Sequence, residues 1–270
     1  MVRRVPKLLV LLLALLLPAS LWAATRKVPI DEFHPTQPGV GKAAAMLYIK
    51  HWEHEAKRRD MSLKKYAKKV LQRKLDTHLT PAIIDPDGNV RNTDAHHHIT
   101  AMLELKEMTG VTLTARAKIL ADYRGQSEAE YAHDFVGRLK KGWFGPNAAG
   151  MSDVDKVRSL PKTYARMKND PLRSAVEAAF ERLGLDGKMF TDYIEFKVGA
   201  ALVENGIYER LRQKGILEPG ARTIPDELVF KKKVAKQIVK MLRKPALRTL
   251  LAESARTKAN ARRIDAALGE

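Results

Sequence analysis

The chain predicts an α+β fold, and three observations predict it. Pro81-Ala82-Ile83-Ile84 and the stretch starting at Val90 are short apolar runs on either side of Asp87-Gly88, a hairpin-type turn pair. Val111, Leu113, Ala115, Ala117 and Ile119 alternate with polar residues, the pattern of a half-buried strand. Before and after these runs, apolar residues recur at helical spacing.

In chain order, residues 1–23 read as a signal peptide: Arg3, Arg4 and Lys7, then an apolar run from Leu8 to Leu17, then a small-residue end at Ala19 to Ala24. That run is shorter than the ~20 residues a membrane span needs, so cleavage after Ala23 or Ala24 and a periplasmic or secreted location are expected. Val28-Pro29-Ile30 reads as a strand, and the prolines and glycines of 31–41 as a fixed loop. Ala45, Leu47, Ile49, Trp52 and Ala56 mark a helix over 42–59, and Ser62 caps a second one running to Leu75. The hairpin follows, then a helix starting near Asp94, then the strand of 111–120. Ser127 with Glu130 is a capping box for a helix reaching about Lys141, where Gly142 ends it. Asp170 as cap and Pro171 in first position start another helix, which Gly184 stops. Residues 190–213 are helical in pattern, and Gly199 and Gly206 mark close packing or a break. The expected domain spans 28–213, with a sheet from the segments near Val28, Pro81, Val90 and Val111. A basic helical tail over 226–270, interrupted by Pro245, follows it.

The chain has no cysteine, which excludes a disulfide framework or disulfide partner, thiol redox chemistry and any thiolate metal site. An apolar content of 45% is ample for a core that must hold without cross-links. The formal charge is +18, or +15 without Arg3, Arg4 and Lys7, so polyanions are the expected partners: nucleic acid, anionic membrane surfaces or acidic envelope polymers.

Asp94-Ala95-His96-His97-His98 places three imidazoles at a helix start. With Asp94 as the N-cap, and Ala101, Met102 and Leu105 anchoring the helix, the unpaired N–H groups and the positive dipole end point at the histidines. In outline this is an anion site.

Several separated motifs then agree. Pro35-Thr36-Gln37 with Val40-Gly41, Asp85-Pro86-Asp87-Gly88, Asp94-Ala95-His96-His97-His98, Asn169-Asp170-Pro171-Leu172-Arg173-Ser174 and Ile194-Glu195-Phe196 together resemble the putative ParB-like nuclease family, within the wider ParB/sulfiredoxin superfamily. The resemblance spans roughly 28–207. It implies a small mixed sheet with covering helices, in which a strand-to-helix corner meets phosphate groups. Ala95 stands where the family usually carries glycine, and His98 where it often carries arginine.

The chemistry has two forms. In the metal-assisted one, His96 and His98, with Asp94 or His97 and a carboxylate such as Glu195, hold a divalent ion that polarises a phosphate and activates water. Successive helical residues project about 100° apart, so all three histidines cannot converge on one ion. In the metal-free one, a histidine among His96, His97 and His98 transfers the proton and Arg173 stabilises phosphate charge, unless Arg173 is instead a structural ion pair with Asp94 or Glu195. Thr36 and Gln37 are the candidate cofactor-binding or capping residues. The competing class is a non-catalytic polyanion- or phosphate-binding envelope protein that uses the basic helices of 42–74 and 231–263.

Overall fold

The alternation of Val111–Ile119 decides the architecture, because a strand buried on one face needs helices on that face. In the computed structural model, which describes residues 24–139, 148, 150–186, 189–190 and 194–269, the strands are β1 (Thr25–Pro29), β2 (His34–Pro35), β3 (Gly39–Val40), β4 (Leu79–Ile84), β5 (Val90–Asn92), β6 (Thr114–Asp122) and β7 (Lys168–Asn169). Five of them form one mixed sheet in the order β1-β6-β4-β5-β2, and β3 pairs with β7 separately. β1 and β5 run antiparallel to their neighbours β6 and β4, while β4–β6 and β2–β5 are parallel. β4 alternates, with Ala82 and Ile84 on the inner side and Ile83 on the outer, and the register shift between Ala82 and Ile83 leaves Leu120 of β6 as the extra, unpaired residue.

Helix α1 (Lys42–Arg58), the helical run α2 (63–77, with a π turn at Ala67–Leu71) and α3 (His96–Thr109) cover the inner face. Val28, Ala115, Ala117, Ile119, Ala82 and Ile84 pack there against Ile49, Trp52, Tyr66, Ile99 and Leu105. On the outer face, α4 (Glu128–Arg138) and α5 (Asp153–Arg158) cover only the end near Ile83, where Tyr123, Tyr131, Phe135 and Leu160 close a small cluster. The Ser127–Glu130 capping box is present as expected, as is the Asp170 cap with Pro171 in the first turn of α6 (Pro171–Arg182).

From α6 onward the chain is helical: α7 (Ile194–Glu204), α8 (Ile207–Gln213), α9 (Asp226–Val229), α10 (Lys232–Leu242), α11 (Pro245–Glu253) and α12 (Lys258–Gly269). Gly206, with φ of 78°, is the break between α7 and α8, whereas Gly199 lies within α7 with open space around it. The basic C-terminal segment buries its apolar side: Val234, Ile238, Met241, Leu251 and Ile264 share one core with Val176, Phe180 and Val198. No helix among the described residues is long and apolar enough to cross a membrane. The helix expected to reach about Lys141 ends earlier, at Arg138, where Leu139 turns to extended backbone, while the proposed signal segment 1–23 and the aromatic loop after Gly142 lie outside the described residues.

Candidate functional site

The start of α3 sits on a left-handed residue. Ala95 has φ 63° and ψ 27° and is itself the N-cap, so the expected Asp94 cap is corrected. Once Ala95 takes that conformation the helix begins one residue later than the spacing suggested, and the Asp94 carboxylate, exposed, accepts from the Ala95 N–H at 2.7 Å instead. The preceding asparagine locks the corner: Asn92 Nδ2 donates to the Asp94 carbonyl at 2.7 Å and its Oδ1 accepts from the Tyr164 hydroxyl at 2.5 Å.

The three histidines face three different surroundings, as their 100° spacing requires. His96 is buried, and its Nε2 accepts from the Thr36 N–H at 3.2 Å, with Thr36 Oγ1 3.3 Å away and itself donating to the Asn92 carbonyl. An acceptor Nε2 carries no proton, so His96 is the neutral Nδ1–H tautomer. Burial, then the charges of Arg173 and His97, hold its pKa well below 6.5. His97 Nε2 accepts from the Gly41 N–H at 3.3 Å and lies 3.7 Å from Glu177 Oε1. Burial, followed by Arg173 and His98, depresses it to about 3. His98 is exposed and lies against the Tyr48 ring, with centroids 4.2 Å apart.

α1 begins where it does because remote side chains take its first N–H groups. His97 holds Gly41, Asn169 Oδ1 accepts from Lys42 at 3.1 Å, and Ser174 Oγ accepts from Ala44 at 3.3 Å. Two segments far from Gly41 in sequence, the start of α3 and residues 169–174, thereby supply the cap that Gly41 lacks. A Cβ on Gly41 would stand 2.1 Å from Ser174 Oγ and 3.3 Å from His97 Nε2, so only glycine fits.

Arg173 is buried between this junction and a cavity. Its Nη1 donates to Gln37 Oε1 at 3.0 Å and its Nη2 to Glu195 Oε1 at 2.8 Å, while the guanidinium lies 4.1 Å over the Phe196 ring. The sequence alternative of an ion pair with Glu195 is the one observed. On the far side, Arg173, Lys168, Asp170, Phe196 and Tyr208 line a cavity of about 580 Å³. Arg173 Nε has no hydrogen-bond partner and lies 3.8 Å from Glu177 Oε1.

Glu177 is the residue that sequence reasoning missed. Burial, with Glu195 and Asp170 adding their charge against Arg173, pushes its carboxyl up to about 7. The available signal was its place one helical turn after Arg173, on the side of α6 that carries Ser174. Of the expected residues, the structure thus joins Thr36 to His96 and Gln37 to Arg173, and links His97 to Arg173 through Glu177. Asp94 and His98 stay at the exposed rim. Among the described residues no three His, Asp or Glu side chains are grouped to hold a metal ion, and His96, His98 and Asp94 form no such group.

The comparisons with known proteins follow this geometry. Residues 26–204 match the family model described as "Putative ParB-like nuclease". The chain belongs to this family. Among solved structures, the crystal structure of protein Atu1540 from Agrobacterium tumefaciens aligns with a TM-score of 0.56 at 19% identity, covering 84% of this chain and 94% of that one. At that identity the likeness establishes a shared fold. No curated protein matches the chain. Within the ParB-like family match lie β1 from Arg26 onward, β2 to β7 and the junction of α1, α3 and α6, while α8 to α12 lie beyond it.

Proposed function

We propose that this ParB-like chain is a nuclease-like phosphodiester hydrolase acting at the junction of α1, α3 and α6, with Glu177 as the proton-transferring group. The observation that carries the reading is the approach of Glu177 Oε1 to His97 Nε2 at 3.7 Å and to Arg173 Nε at 3.8 Å, beside the exposed rim of Asp94, His98 and Tyr48.

Each group has a separate task. A carboxyl near 7 is half protonated at neutral pH, the condition in which one group serves as general acid or base. In hydrolysis, water oxygen bonds to phosphorus and the bond to the leaving oxygen breaks. Protonated Glu177 supplies the leaving oxygen with its proton, and the water proton passes to solvent. Buried Arg173 acts through Glu177 as a positioning residue. His96 and His97, both neutral with Nε2 engaged, position the Thr36 loop and the start of α1. That leaves His98, at the exposed rim of the α3 start, for the phosphate. The composition of residues 1–23 supports export, so the substrate would be met in the periplasm or outside the cell.

A second reading, a non-catalytic polyanion- or phosphate-binding envelope protein, is favoured by the internal use of His96 and Arg173. Purified chain should be assayed against single- and double-stranded DNA and a chromogenic phosphodiester, with Mg, Mn, Zn or Ca and with a chelator. The hydrolase reading expects turnover with an apparent pKa near 7, reduced about 100-fold or more in Glu177→Gln. Salt-sensitive DNA binding with no turnover in any condition selects the second reading.

A further inference from the structure

The sheet has a face that its own helices leave uncovered. Cross-strand partners share a face, so the register places Lys27 beside Arg116 and Thr25 beside Lys118 across β1–β6, and Leu79 beside Arg116 and Pro81 beside Lys118 across β4–β6. The strand's alternation puts Ala115, Ala117 and Ile119 in the inner core and turns Arg116 and Lys118 the other way, and Leu120, the extra residue of the bulge, is exposed next to them. Leu79 and Leu120 are 44% and 50% exposed, and Lys27 and Lys118 are exposed beside them. The outward positions Thr25, Lys27, Leu79, Pro81, Thr114, Arg116, Lys118 and Leu120 include no carboxylate. Arg116 also donates to the Asp76 carbonyl at the end of α2, joining the face to a helix that exposes Lys64, Lys65, Lys68, Lys69, Arg73 and Lys74.

We propose that this face, formed by β1, β6 and the start of β4, docks on an anionic lipid surface. Charge selects an anionic partner, and the leucines select among anionic partners. Single-stranded nucleic acid is held by aromatic rings that stack on bases, and these outward positions hold none. A bilayer interface instead takes up exposed aliphatic side chains while its headgroups neutralise surrounding lysines and arginines. The face lies away from the Glu177 junction, which is on the helical side of the sheet, so it stands or falls separately from the hydrolase reading.

The test uses the chain from Ala24, which contains every residue of the cores described above, in co-sedimentation with phosphatidylglycerol-containing vesicles and with pure phosphatidylcholine vesicles. Binding is expected to the first, weakening as salt rises, and not to the second. A cation near an anionic surface contributes about fivefold, so Lys27→Glu/Arg116→Glu/Lys118→Glu should weaken binding by on the order of 100-fold. Leu79→Ser/Leu120→Ser, which leaves the charge unchanged, should weaken it at least about tenfold. Reversing three exposed cations on α12, Lys258→Glu/Arg262→Glu/Arg263→Glu, changes net charge equally and should cost less than about threefold. Equal losses in the two charge variants, an unaffected leucine variant, or DNA binding without vesicle binding would each overturn the proposal.

Discussion

Replacing Glu177 by glutamine should make the protein more stable at pH 8 than the unaltered chain while leaving the two nearly equal at pH 4.5. The carboxyl is raised from its ordinary 4.5 to about 7. Between those values the folded chain holds a proton that the unfolded chain has released, so stability falls as pH rises through that window. At ~1.36 kcal/mol per pH unit, the full rise amounts to about 3 kcal/mol. The side chain keeps 34% of its surface exposed, and solvent screening brings the expected loss to roughly 1–2 kcal/mol. Glutamine cannot ionise and escapes it. For a chain of this length, the difference is on the order of 2–8 °C in Tm at pH 8. His97 slopes the other way: its depressed value, about 3 against 6.5, makes stability fall as pH drops through that range. His96, also held well below 6.5 by burial, slopes the same way as His97, so below 6.5 the unaltered chain should still gain stability as pH rises, and Glu177→Gln should steepen that gain. Urea unfolding of both chains at pH 4.5, 6 and 8 measures this. A stability difference that does not change with pH refutes the assignment of Glu177 as a raised carboxyl.

Other substitutions probe the corner and the junction. Gly41→Ala drives a Cβ to within 2.1 Å of Ser174 Oγ and should destabilise by about 1–3 kcal/mol, seen as a lower urea midpoint, with Ser174→Ala restoring part of the loss. Ala95→Gly relieves a left-handed alanine and should stabilise by about 1 kcal/mol in the same measurement. Arg173→Met leaves the Glu195 carboxylate without its partner and should cost about 3–5 kcal/mol, while adding Glu195→Gln should recover much of it in a double-mutant cycle.

Local signals in the sequence carried most of the fold. The Ser127–Glu130 box, the Asp170–Pro171 start and the alternation of 111–119 each depend on neighbours a few residues away, and each appears where expected. The fifth strand, His34–Pro35, did not announce itself, because two residues paired in parallel inside a proline-rich loop show no alternation. The site was legible in membership more than in roles. Thr36, Gln37, His97 and Arg173 do lie around one junction, but His96 looked available only because the N–H that occupies it belongs to Thr36, 60 residues earlier. Asp94 was misplaced as a cap because periodicity carries no information about the sign of φ at Ala95. Glu177 draws its raised pKa mainly from burial and from the charge of Glu195, and its flanking residues encode only its neighbour Arg173, one turn earlier.

The three-part cap on α1 also sets an order of events during synthesis. Asn169 and Ser174 follow Lys42 and Ala44 by 127 and 130 residues, so the first turn of an early helix waits on residues made much later. A nascent chain stopping short of residue 169 holds β1 through β6, and His97 to receive the Gly41 N–H, but lacks the acceptors for the Lys42 and Ala44 amides of α1. The Glu177 junction is therefore assembled only after about two thirds of the chain has emerged.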